Sequence, residues 1–176
     1  MAVKKKTGTR TRRAMSPLLR SAMETLEHGL WHFFRSDTAT DMKFAILHVD
    51  QAVELVMKER VRSGGKSIYK NPKETISIWG AYDILEKELG CVIAEKPDLE
   101  LLHEERNSIQ HKYVNPNPED AHFHVTNGVD FLHRFLQDEL GVDLYDHVAA
   151  DFLDRIFEAE EAEEAEEAEE AEEDGA

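Results

Sequence analysis

Phe44-Ala45-Ile46-Leu47-His48-Val49-Asp50-Gln51-Ala52-Val53-Glu54-Leu55-Val56-Met57-Lys58 is the stretch on which the fold turns. Its apolar residues, with Met42 ahead of them, fall at Ala45, Ile46, Val49, Ala52, Val53, Val56 and Met57, a helical period held for about four turns. Phe44, Leu47 and Leu55 widen the apolar surface beyond one stripe, so this helix is expected to be packed on two sides. Asp37-Thr38-Ala39-Thr40 leads into it and Gly64-Gly65 ends it.

The same period recurs on both sides. Ser16-Pro17 is an N-cap followed by proline at the first helical position, and Leu19, Met23, Leu26, Leu30 and Phe33 then share a face, which predicts a helix over about 17–35. Asn71-Pro72-Lys73-Glu74 and Asn117-Pro118-Glu119-Asp120 repeat one device, an Asn cap, a proline and an acid in the first turn. The first is expected to open a helix with Ile78, Tyr82, Leu85 and Leu89 on one face and Gly90 as its stop. The second opens a helix with Val125, Val129, Leu132, Leu136 and Leu140, ended by Gly141. Between them Pro97-Asp98 starts a helix bearing Leu99, Leu102, Ile109 and Tyr113, which Asn115-Pro116 must stop. A sixth, over about 143–157, carries Leu144, Val148, Phe152 and Ile156. No segment alternates as a strand would. The expected fold class is all-α, an antiparallel helical bundle over residues 16–157, between an arm (1–15) and a tail (158–176).

A chain of 176 residues can bury a core without a disulfide or metal staple. Its formal charge of −16 is unevenly spread. Lys4, Lys5, Lys6, Arg10, Arg12 and Arg13 stand in the first 13 residues without an acid, while eleven Glu and Asp174 stand from Glu158 onward without a base. Residues 14–157 therefore carry −10. The arm is expected to be disordered, either simply solvated or a nucleic-acid-binding tail whose cations release counterions from phosphates. In the tail the Glu-Glu-Ala repeat has a period of three, so its alanines form no stripe and like charges repel along any helix. It is read as a fraying extension that aids solubility or competes with RNA for the basic arm or a cleft of the body. Cys91, alone, cannot form an intrachain disulfide and fits a reducing, cytoplasmic setting. No apolar run approaches the roughly 18 residues of a membrane span, and the N-terminus lacks a signal-peptide core.

Several kinds of chemistry lack their residues. Gly64-Gly65-Lys66-Ser67 has no earlier glycine and follows a helix, unlike a phosphate-binding loop. His103 with His111, and His122 with His124, lack third and fourth ligands at a usual spacing, so no metal or cofactor is expected. Trp31, Trp79 and the phenylalanines at helical spacings are expected in the core.

The densest chemistry is Arg106-Asn107-Ser108-Ile109-Gln110-His111-Lys112-Tyr113, at a helix C-terminus beside a turn. His103, Asn107 and His111, at i, i+4 and i+8, share a face, with Arg106 one position round. Read as scaffolding, His111 caps the last carbonyls, Arg106 pairs with Glu54 or with acids of its own helix, and Tyr113 continues the apolar stripe.

The spacing Arg, four residues, His, one residue, Tyr resembles the R-x4-H-x-Y signature of HEPN domains, small helical proteins of ribonuclease toxins and RNA-targeting defence systems. The Phe44–Lys58 segment, with His48 and Glu54-x3-Lys58, is similar to that family's earlier core helix. The Pro-Asp-Leu entry and Asn-Pro-x-Pro-Glu-Asp-Ala exit of the motif helix fit it too, and the resemblance spans roughly residues 17–141. It implies a homodimer whose Arg and His residues converge in a shared cleft and cut RNA without a metal. Carried over by position, Arg106 becomes the phosphate clamp, His111 the acid/base and Asn107 an orienting amide, with Glu54, His48 and His103 in support. Such chemistry suits these side chains: imidazole exchanges protons near neutrality, and guanidinium stays charged and grips phosphate oxygens. Tyr113 matches the tyrosine that, in toxins paired with a nucleotidyltransferase-type antitoxin, receives adenylyl groups. The alternative is a HEPN-like domain that binds RNA or a partner protein without cutting.

Overall fold

The computed structural model describes residues 15–35 and 38–159; the basic arm and the tail beyond Ala159 lie outside them. The fold is an all-α bundle built on its second helix. Helix α1 (Pro17–Phe34) is capped by Ser16, whose hydroxyl accepts from the Leu19 N–H at 3.1 Å. Helix α2 (Ala39–Ser63) is capped by Thr38 in the same way. Each such cap contributes about 1 kcal/mol. The pair is antiparallel, since His28 meets His48 while His32 meets Asp41. Helix α2 also packs against α3 (Ile78–Lys87), α4 (Lys96–Lys112) and α5 (Pro118–Phe135). This is the two-sided burial its broad apolar surface requires. Leu26, Leu30, Ile46, Val53, Met57, Leu85, Leu99, Leu102, Phe131 and Phe135 form the heart of the core.

Three elements depart from the sequence expectation. Asn71-Pro72 does not open a helix; it forms the turn of a small hairpin, β1 (Tyr69–Asn71) against β2 (Glu74–Thr75). The Asn71 carboxamide oxygen accepts from the Lys73 N–H at 2.9 Å, closing a turn on the spot, and α3 waits for Ser77, which caps Gly80 at 3.3 Å. At the end of α5 the periodicity slips into a π turn, Leu136–Leu140, closed by Gly141 at φ +63. The sixth helix, α6, spans residues 150–159, because Asp143 first bonds the Tyr145 N–H and holds Leu144–Asp146 in a 3-10 turn.

The aromatics also divide differently from the sequence expectation. Trp31, Trp79, Phe44 and Phe123 stand exposed at the surface, whereas Phe131 and Phe135 are core. The apolar stripes are wide enough that an aromatic on their margin reaches water.

Where α5 crosses α2, Gly128 lets the backbones approach: a Cβ there would overlap a Val49 methyl and press on Leu102 of α4. Gly128→Ala is therefore expected to destabilise the protein by about 1–3 kcal/mol, read as a lower thermal midpoint.

Candidate functional site

Helix α4 carries the motif, and its backbone decides what each side chain can reach. Leu99, Leu102 and Ile109 are buried against α2 and α5; Arg106, four residues after Leu102, lies on that same face toward α2 and is half-buried, with Asn107 beside it at the margin. The helix ends at Tyr113, which adopts the left-handed conformation at φ 59 and ψ 31. A non-glycine residue there is strained by about 1–2 kcal/mol. That turn swings the ring off the apolar stripe, so the buried reading of Tyr113 is wrong: it is 87% exposed.

The organising group is one the motif does not contain. Asp50, in the middle of α2, is only 1% exposed. Its Oδ1 meets His103 Nδ1 at 3.0 Å, and its Oδ2 faces Arg106 Nε at 3.4 Å, an ion pair without a formed hydrogen bond. Arg106 Nη1 donates to Asn107 Oδ1 at 2.8 Å. A buried carboxylate requires a partner, and here Arg106 supplies the cation. These contacts engage the Nε edge and one terminal nitrogen of the fork, directing a planar donor group from the rim of α4.

The other expected residues fall in different places. Glu54 does not meet Arg106; it takes the Lys58 ammonium, which also donates to Thr75 Oγ1 of the hairpin at 3.0 Å. His48 faces α1, not α4. His111 stands exposed in the last turn, with no hydrogen-bond or ion-pair partner among the described residues. Arg106, Asn107 and His103 are thus drawn together through Asp50, while His111, one turn beyond Asn107, is not bonded to them. Asp50 was legible only as a carboxylate amid an apolar run, between Val49 and Val53. Cys91 is inert: burial pushes its thiol up to about 11, and it donates to Glu139.

His48 belongs to a second cluster. The Phe44 carbonyl can only accept, so His48 holds its proton on Nδ1, at 2.6 Å, and turns Nε2 to His28 Nδ1 at 3.3 Å. His32 stacks parallel to it with centroids 6.0 Å apart and bonds Asp41 through Nδ1 at 3.0 Å. Among the described residues, no group of three His, Cys, Asp or Glu side chains is gathered to hold a metal ion. Burial, with the His28 and His32 rings facing it, holds His48 below the usual imidazole value. Burial does the same to His124, against the pull of Asp120 and Asp98. The unfolded chain protonates both near pH 6.5 and the folded chain only at lower pH, so their contribution to stability is present above about 6.5 and is lost as pH falls through the folded values. Thermal midpoints are expected to decline from pH 7 to 5.5, above the carboxylate range, and less so in a His48→Asn, His124→Asn variant.

No helix among the described residues is long and apolar enough to cross a membrane. The chain matches no family model, no curated protein and no solved structure.

Proposed function

We propose that this chain is a metal-independent endoribonuclease of the HEPN type, which cuts RNA in a cleft shared by two copies and belongs to a toxin-antitoxin or defence system. The observation that carries the reading is the division of labour along α4: Arg106 is anchored from behind by buried Asp50, while His111, exposed in the last turn, has no partner among the described residues. A phosphate clamp benefits from being held, and an acid/base from being free to meet substrate. In the proposed reaction one His111 takes the proton of a 2′-hydroxyl, whose oxygen attacks the adjacent phosphorus. The 5′-oxygen leaves with a proton from the His111 of the second copy, giving a 2′,3′-cyclic phosphate and a 5′-hydroxyl. Arg106 offsets charge on the phosphorane, and Asn107 fixes the guanidinium plane. Exposed Tyr113, beside His111 in sequence, is then the phenol that a nucleotidyltransferase-type partner adenylylates to block the cleft.

The second reading, an RNA- or protein-binding domain that does not cut, draws on the same ion pair. Asp50 offsets part of the Arg106 charge, in a body that is itself acidic. Labelled single-stranded RNA incubated with the purified full chain in EDTA separates the two. Products ending in 2′,3′-cyclic phosphate support the nuclease; binding with intact RNA supports the second reading.

A further inference from the structure

Trp79, on the first turn of α3, is 46% exposed although it was expected in the core. Its setting sets it apart from a scattered surface aromatic. The indole meets His103 edge-on, with centroids 5.8 Å apart and planes at 90°. His103 bonds Asp50, and Asp50 pairs with Arg106. One continuous line therefore runs from indole to imidazole to carboxylate to guanidinium, and the polar rim of α4 continues from it to His111, about 12 Å beyond His103 at about 1.5 Å per residue.

The faces of the two indoles differ. Arg35 lies over the Trp31 ring at 4.4 Å, so that surface is already covered by a guanidinium. Among the described residues the remaining cation–π contacts fall on Tyr82 and Phe34, and none on Trp79. Behind it Tyr82 packs at 6.0 Å and is 2% exposed, giving the indole a fixed support. A rigid, half-exposed aromatic beside a phosphate-directed arginine has the composition of a nucleobase platform, because every base offers a π-face while its backbone phosphate seeks the cation.

We infer that Trp79 is a nucleobase-stacking subsite for the nucleotide next to the phosphate held by Arg106, and that the site accordingly takes single-stranded RNA. This rests on the ribonuclease reading for Arg106. A paired base is already stacked within its duplex and cannot lie on the indole without being splayed out.

The chain holds two tryptophans, so Trp31→Phe leaves Trp79 as the only indole reporter. In a full-length Trp31→Phe, His111→Ala background, titration with a fluorescein-labelled ten-residue oligoadenylate should quench tryptophan emission along the same isotherm as anisotropy. Trp79→Ala should weaken binding about tenfold, Trp79→Phe much less, and a blunt-ended RNA duplex should bind more weakly than the oligoadenylate. Binding with no quench, equal affinities of Trp79→Ala and Trp79→Phe, or equal affinity for the duplex would each overturn the subsite while leaving the nuclease reading intact. If neither binding nor cleavage of RNA occurs, the nuclease reading goes, and the subsite with it.

Discussion

His111→Ala is expected to lower RNA cleavage by about 10²- to 10⁴-fold, the usual contribution of one general acid/base, and to leave the thermal midpoint within about 2 °C of wild type. The second half of that statement follows from geometry. His111 is exposed and has no partner among the described residues, so its removal opens no cavity and strands no buried group. If it were instead a helix-terminal cation, its loss would cost a few tenths of a kcal/mol and would leave chemistry untouched. The two roles therefore separate on different axes, rate and stability. A His111→Ala protein that cleaves at the wild-type rate would falsify the assignment, whatever its melting behaviour. A pH–rate profile adds a check, since one imidazole acting as base and its counterpart as acid gives a bell that this substitution should abolish.

How much of this could be read from the chain differs from element to element. Helix α2 was legible because its period persists over many residues, and the caps of α1 and α5 because Ser16-Pro17 and Asn117-Pro118 stand directly ahead of helical spacing. Asn71-Pro72 looks identical to Asn117-Pro118, and the difference lies downstream. After Pro118 the first buried residue is Ala121, with Val125 and Val129 behind it, whereas after Pro72 the first is Ile76, already past the hairpin. The strands themselves, of three and two residues, are too short to alternate. The site was half legible. Motif spacing singles out Arg106, Asn107 and His111 as candidates, but it records neither what lies behind a side chain nor how a helix ends. Asp50 emerges only when α2 meets α4, and Tyr113 leaves the stripe through a backbone angle that residue type alone does not announce.

Asp50 makes the second large effect, and it bears on how any Arg106 variant is interpreted. Arg106→Ala removes the guanidinium paired with the Asp50 carboxylate, whose Oδ2 is buried and, among the described residues, has no hydrogen bond. Breaking a buried ion pair from one side costs about 3–5 kcal/mol. The arginine side chain is 24% exposed, so some screening already operates, and a loss of about 2–4 kcal/mol is the better expectation, or roughly 5–15 °C in midpoint for a chain of this size. Inactivity of Arg106→Ala alone would thus be ambiguous between lost chemistry and lost fold. Asp50→Asn in the same chain resolves it. The substituted amide keeps the shape and can still accept from His103, while the unpaired charge is gone, so Asp50→Asn with Arg106→Ala should recover most of the stability without recovering cleavage. Asp50→Asn by itself should melt closer to wild type, because the freed guanidinium can reach water, yet cut RNA more slowly, because the clamp is no longer held from behind. Thermal unfolding and cleavage of the four proteins form one cycle. Restored cleavage in the double variant would show that Arg106 serves only to neutralise Asp50; an Arg106→Ala protein as stable as wild type would show that the pair does not brace α4 against α2.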